Sequence, residues 1–394
     1  MKKKMIKNSK NTFEAGVKKN KNVLFPLRSL LGVLFLAMMM VFTSCEKDDI
    51  EPDNEPNSIL PDRFAVEIPG SISNSNPMLK SSQVDTLNGN HIYQHLRTFI
   101  SVGENAAEMA QGIMLSIATL NLNRPLELTF ISDEDGRTKH LKIIENAMFE
   151  DESWQYRLTI YDAEGSEQPT QADIGLQVFW SWDPLKGIAM INPYNMDRDT
   201  EEIYANTSFR IDYSEVGNLG YEAHMFVSVT GYPLGNPLQY PFAMDNMKMF
   251  VGVNGDMVTV YGNSQHPNAQ FFNDETGFNW AFVAAASESQ DIAVAEVGLP
   301  PVGLDASDRE TLLETYSIYN VFSDQVLSVW PTIDPEILNA YLYNTQAPGY
   351  FNSNGFVQAG TQPSEDYDEL EAQILTLSPF SPALIESLSV DFAE

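Results

Sequence analysis

The chain has 394 residues, enough for one large domain or two ordinary ones. Hydrophobic residues make up 43 % and charged residues 20 %, globular values that exclude a disordered or collagenous chain, and the single Cys excludes a disulfide framework or multi-cysteine metal site within the chain. A formal net charge of −31 argues against nucleic acid, because phosphate binding needs a basic face.

The N-terminus reads as an export signal. A long basic region with Lys2, Lys3, Lys4, Lys7, Lys10, Lys18, Lys19, Lys21 and Arg28 precedes the apolar run Leu30–Phe42. That run is shorter than the roughly 20 residues a membrane span needs, and it ends in Phe42-Thr43-Ser44-Cys45. These four residues resemble a lipobox, the cleavage site of lipoprotein signal peptidase, with Phe42 where Leu is commonest. The resemblance implies that residues 1–44 are removed and that Cys45 becomes a lipidated first residue. Glu46, Lys47, Asp48, Asp49 and Glu51 follow, a cluster similar to the surface-export signal of Bacteroidota-type lipoproteins. The implied location is the outer membrane, lipid-anchored and facing the cell surface. Cleavage would leave 14 basic against 53 acidic residues, a formal charge of −39, so acyl chains rather than charge must hold the protein to the membrane.

Residues 45–61 are rich in Asp, Glu, Asn and Pro and read as an acidic tether. Phe64–Ile68 alternates and reads as a first strand; Ser71–Ser82 is polar. His91–Leu120 carries Ile92, Leu96, Phe99, Ala106, Ala110, Ile113, Ile117 and Leu120 at helical spacing. Gly103 is its weak point, and the small residues Gly103, Ala106 and Ala110 suit close packing on a sheet.

From Leu126 to about Val297 the period becomes two. Trp154, Tyr156, Leu158 and Ile160 share one face; Leu176, Val178, Trp180 and Trp182, then Phe209, Ile211 and Tyr213, then Ala223, Met225, Val227 and Val229 repeat the pattern. Asn254-Gly255 predicts a type I′ hairpin. About ten or eleven antiparallel strands fit, too many for a flat sheet, so the sheet should curl. After Pro300-Pro301 the period is helical again. A capping box at Ser307–Glu310 opens Leu312–Val329, and Asp334-Pro335 and Ser381-Pro382 are helix starts. A further helix is expected over Glu365–Leu377, with a polar loop over Asn352–Gln362.

The fold class is therefore α+β: an N-terminal helix on a large curved antiparallel sheet or half-barrel over residues 62–300, then a helical C-terminal region, 301–394, packed on it. The element order resembles in architecture the half-barrel of LolA-type lipoprotein carriers, although no motif carries that likeness.

Local catalytic motifs are absent: there is no Gly-x-Ser-x-Gly, Walker A, Gly-x-Gly-x-x-Gly or His-Glu-x-x-His. His91 and His95 share a helix face but have no third ligand, so a solvated face is the simpler reading and no metal is assigned. Residues 195–206 space oxygen ligands as calcium loops do, but Thr200 replaces the turn Gly and Asn206 the terminal Glu. Arg157 and Arg210 sit mid-strand among few basic groups. Pairing of Phe209–Tyr213 with Tyr221–Met225 through a turn at Gly217–Gly220 would set Arg210 near Glu222 and His224. Trp180 and Trp182 could stack a ligand or simply pack the core, and the Met244–Met257 methionines could do either. The expected function is non-catalytic: a lipid-anchored envelope protein binding a small apolar ligand or an envelope protein through the concave face of the sheet. Arg157, Arg210, His224, Trp180 and Trp182 are the candidate ligand residues. No cofactor is implied. The alternative is a secreted hydrolase of glycan or lipid using a carboxylate pair.

Overall fold

A computed structural model describes residues 59–74, 89–118, 124–164, 170–237, 240–269 and 277–393. The expected signal peptide, Cys45 and all of the expected tether before Ile59 lie outside the described residues. Helix α1 (Gly89–Ala118) is followed by strands β1 (Glu127–Ile131), β2 (Thr138–Phe149), β3 (Glu152–Asp162), β4 (Ile174–Ser181), β5 (Lys186–Ile191), β6 (Ser208–Ser214), β7 (Ala223–Thr230), β8 (Met247–Asn254), β9 (Met257–His266), β10 (Phe278–Ser287) and β11 (Ile292–Gly298), with the single turn α2 (Pro193–Met196) after β5. Helices α3 (Ile318–Val329) and α4 (Pro335–Tyr341) come next, then β12 (Gly349–Asn352), β13 (Gly355–Ala359), α5 (Asp368–Ile374) and α6 (Pro382–Glu386). The strands form one 13-stranded antiparallel sheet in chain order, curved but not closed. This is the α+β architecture that the change of period predicts. No helix among the described residues is long and apolar enough to cross a membrane.

Helix α1 lies in the concavity. It forms one uninterrupted helix through Gly103, because that glycine faces the sheet: a Cβ there would stand 2.5 Å from Met249 Cε and 3.0 Å from Met247 Cε. Ala106, Ala107 and Ala110 are buried on the same helix. Tyr93 stacks on Phe356 of β13 at 4.9 Å, and Phe99 meets Trp280 of β10 at 5.2 Å. The inner core takes Leu158, Val178, Trp180, Ile211, Met225, Met247, Met249 and Trp280 from the sheet. Met244, Met247 and Met249 thus fill irregular space beneath a helix, while Met257 packs on the outer face.

The segment 64–68 is extended but is no strand. Phe64, Val66 and Ile68 alternate into the inner core, as their spacing predicts. Both edges of the sheet are elsewhere, so side chains satisfy its backbone: Phe64 N donates to Gln111 Oε1 at 2.9 Å and Ile68 N to Glu104 Oε1 at 3.2 Å.

Four sequence expectations need correction. The β8–β9 turn has Gly255-Asp256 as its central pair, with Gly255 at φ 58° and Asn254 still paired with Met257, so Gly stands first as in a type II′ turn rather than second as in type I′. The expected loop 352–362 contains β13 and the end of β12, so the C-terminal region completes the sheet. Residues 310–315 form a π-helical turn before α3, and Asp308, not Ser307, caps it by accepting from Thr311 N at 2.7 Å. The region expected as helix 365–377 is a 3-10 turn followed by the shorter α5. The starts at Asp334-Pro335 and Ser381-Pro382 form as expected, each side chain accepting a backbone N–H of the first turn.

The outer face is covered at both ends. Leu370 and Ile374 of α5 pack on Val283, Ala285 and Val294, which explains why every residue of β10 is buried. Val390, Phe392 and Ala393 pack near Trp154, Phe179 and Ile188. The chain between these two covers runs over the outer face as a strap. Asn263 Nδ2 donates to the carbonyl of Phe380 at 2.8 Å, Gln171 Nε2 to that of Phe392 at 2.8 Å, and Ala393 N to Gln177 Oε1 at 2.7 Å.

Candidate functional site

The concave face, where a ligand was expected, is filled by α1 and residues 59–72. A groove of about 690 Å³ lies instead on the outer face, on the floor of β5–β8. The β2–β3 hairpin walls it with Glu150, Glu152 and Trp154, and the strap contributes Leu388 and Ser389.

Strand register builds the floor. Arg210 of β6 stands opposite Ser228 of β7, which stands opposite Lys248 of β8 and then Asn263 of β9. Two residues along, Asp212, Phe226 and Phe250 form the next row, and Ser214 and His224 the one after. Arg210 and His224 therefore share a face and a groove, but they are not paired. The connection between β6 and β7 is longer than expected, with Ser214 paired to His224, and this moves the partner of Arg210 from His224 to Ser228.

Arg210 is saturated by carboxylates. Its Nε and Nη2 reach Asp212 at 3.0 and 2.7 Å, its Nη2 reaches Glu150 Oε2 at 2.8 Å, and its Nη1 bonds Glu150 Oε1. Burial alone would lower the pKa of the guanidinium, but the hydrogen bonds to Glu150 and Asp212 outweigh it and raise the pKa. The bond from Arg210 holds Glu150 below the usual carboxylate range. Glu150 is delivered by a two-residue turn in which Glu150 and Asp151 both have positive φ, 49° and 62°. Lys186 pairs with Glu152 and sits 5.2 Å from the Trp154 ring centre.

Lys248 has no such partner. Its Nζ lies over the rings of Phe226 and Phe380, 5.9 and 5.5 Å from their centres, and no carboxylate among the described residues is within ion-pair distance. His224 is 5 % exposed and stacks against Phe250 at 5.8 Å, and its Nδ1 has no hydrogen-bond partner. Burial lowers its pKa, so it is neutral at neutral pH.

The other predicted residues lie elsewhere. Trp180 is fully buried on the inner face; its Nε1 donates to the Ile59 carbonyl at 2.9 Å, and Trp182 Nε1 reaches the same oxygen at 3.3 Å. The two tryptophans hold the entering chain against the sheet. Arg157 is on the outer face, opposite Phe179, with burial lowering its pKa. Phe179 and Ile188 separate it from Asp212, about 14 Å away at the usual strand spacing. Trp154 does line the groove, because it leaves the face of Tyr156 and Leu158 to pack with Phe179; its partner on β2 is Ala147, next to Asn146, which has φ 55° and falls outside the pairing register.

Two acidic loops, Asp133–Gly136 between β1 and β2 and residues 195–206, are used internally. Asp135 accepts from Lys139 Nζ at 2.7 Å and from Arg198 N at 3.0 Å. The Asn195 side chain donates to the carbonyls of Ala172 and Ile174 at 2.8 and 2.9 Å. An ammonium group already stands among the carboxylates of the first loop. Among the described residues no group of three or more His, Cys, Asp or Glu is placed to hold a metal ion. His95 packs against Phe242 at 5.0 Å, and burial lowers its pKa to about 4.

Sequence reasoning missed Lys248, Phe226, Glu150 and the strap. Lys248 had the same signal as Arg210: a basic residue on the alternate face of the apolar strand Met247–Val253. Nothing in the sequence brings Phe380 over it. Set against protein-family models, curated proteins and solved structures, the chain matches none.

Proposed function

We propose that this is a non-catalytic binding lipoprotein of the outer membrane, anchored through Cys45 and facing the cell surface, with its ligand site in the outer-face groove. The observation that carries the reading is the groove lining: an aromatic floor with one uncompensated cation at Lys248 and one unpartnered imidazole at His224. Such a mix of apolar surface and few convergent polar groups suits a small organic molecule. A hydrolase is disfavoured, because it needs a carboxylic acid held protonated, and Glu150 is pushed the other way by Arg210.

Residues 46–394 carry every element described. This chain is expected to bind the neutral dye N-phenyl-1-naphthylamine at one site by calorimetry. Ser389→Trp, which puts an indole into the groove, should abolish the binding. No dye binding would overturn the ligand-site reading. Turnover of an ester or glycan panel, abolished by one Asp or Glu substitution, would favour the hydrolase.

The anchoring half is tested separately. Cys45→Ala should eliminate incorporation of a palmitate analogue and move the protein from the membrane fraction to the soluble one. Label retained by the variant would refute the assignment of Cys45.

A further inference from the structure

The structure points to a ligand class: we propose that the Lys248 end of the groove seats a single anionic group, a carboxylate, sulfonate or sulfate, on a ligand with an apolar body. This rests on the reading of the outer-face groove as the binding site. Three cations line that groove, and two are already neutralised: Arg210 by Glu150 and Asp212, and Lys186 by Glu152. Lys248 is left over. Its position between the Phe226 and Phe380 rings offers cation–π stabilisation and removes water from one side of the ammonium. An anion arriving from the open side would complete its shell.

The site is built rather than incidental. Ser228 stands directly across from Lys248. On the other side, Asn263 holds the Phe380 carbonyl at 2.8 Å and so fixes one of the two rings. Phe226 stacks edge-on to Phe250 at 5.0 Å, and Phe250 packs on Tyr261 at 4.7 Å. These contacts make a rigid aromatic floor next to the ammonium. His224 stands four residues before Ser228 on β7, about 13 Å away at 3.3 Å per residue, where it packs on Phe250 and closes the far end of that floor.

Charge also sets the number of anionic groups. The chain is strongly acidic, with net charge −31, so an anion is repelled everywhere that a cation is not left free. Glu150 and Asp212 are held beside Arg210, and Arg210 and Asp212 lie one strand away from Ser228. A second negative group reaching in that direction would meet those carboxylates. A monoanion with its apolar body along Phe226 meets only aromatic surface.

Two dyes of nearly the same shape separate charge from hydrophobicity: 8-anilinonaphthalene-1-sulfonate carries one sulfonate, and N-phenyl-1-naphthylamine carries none. Both are titrated by fluorescence against residues 46–394 and against Lys248→Met and Lys248→Gln, each checked for native far-UV dichroism. The sulfonate is expected to bind wild type more tightly at low salt than at 0.5 M salt. Both substitutions should weaken it at least tenfold while changing the affinity of the neutral dye by less than threefold. Equal sulfonate binding by wild type and both variants overturns the anion seat, and so does equal loss of both dyes. If the neutral dye binds and the sulfonate does not, the anion seat fails while the groove survives. If neither binds wild type, the groove reading itself fails.

Discussion

Asp162→Ala is expected to destabilise the protein by about 3–5 kcal/mol, the cost of leaving a buried charge without its partner. The Asp162 side chain is 2 % exposed and its Oδ2 meets three cations: Arg137 Nε at 2.7 Å, Arg198 Nε at 3.3 Å and Lys139 Nζ at 3.7 Å. Burial would raise its pKa, but the Arg137 hydrogen bond and the nearby Lys139 and Arg137 charges hold it below the usual value. Lys139 is the member that suffers. It is fully enclosed, with Asp135 at 2.7 Å and the Asn195 carbonyl at 3.2 Å as its other partners. Without Asp162 the enclosed ammonium keeps Asp135, but the three cations share one carboxylate fewer. A companion substitution decides the cause. Asp162→Asn keeps the shape and an acceptor oxygen but removes the charge, so it should lose nearly as much as Asp162→Ala. Urea unfolding of the two variants measures this. A loss under about 1 kcal/mol for Asp162→Asn would show that the network contributes packing rather than charge balance.

Stability is also expected to fall as pH rises from about 4.5 to about 7, through Glu104. This carboxyl lies on α1 against the entering segment, accepting from Ile68 N at 3.2 Å and from the Ser73 hydroxyl. Burial, helped by Glu108 and Glu67, outweighs those two hydrogen bonds and pushes its pKa up to about 7. The folded chain therefore keeps a proton that the unfolded chain has already released at these pH values. A state that binds more protons is favoured by low pH, so this contribution is present near pH 4.5 and lost by pH 7. The loss is on the order of 2–3 kcal/mol, allowing for partial solvent screening of a group that is not fully enclosed. Glu104→Gln keeps the acceptor for Ile68 N and cannot ionise. It should match wild type near pH 5 and exceed it at pH 8. Parallel stability profiles from pH 5 to pH 8 for the two proteins would refute the assignment.

The sequence by itself determined the class of fold, because periodicity is a local property. Alternation at Leu176–Trp180, Phe209–Tyr213 and Ala223–Val229 predicted which residues face the inner core, and those residues do. The small stripe at Gly103, Ala106 and Ala110 predicted close contact between helix and sheet, and the Asp334 and Ser381 caps predicted helix starts, since a cap acts within one turn. Two things lay beyond local pattern. One was the occupant of the concave face: alternation shows that a face is apolar, not whether a ligand or the chain's own helix covers it. Trp180 therefore read as well for a site as for the core. The other was the groove, where register decides the neighbours. Moving the partner of Arg210 from His224 to Ser228 keeps both on one face but separates them by four residues along β7. Glu150, Lys248 and Phe380 come together across long stretches of chain, through a left-handed turn, a strand pairing and the strap. Such contacts depend on how distant segments cross, and only the tertiary structure decides that.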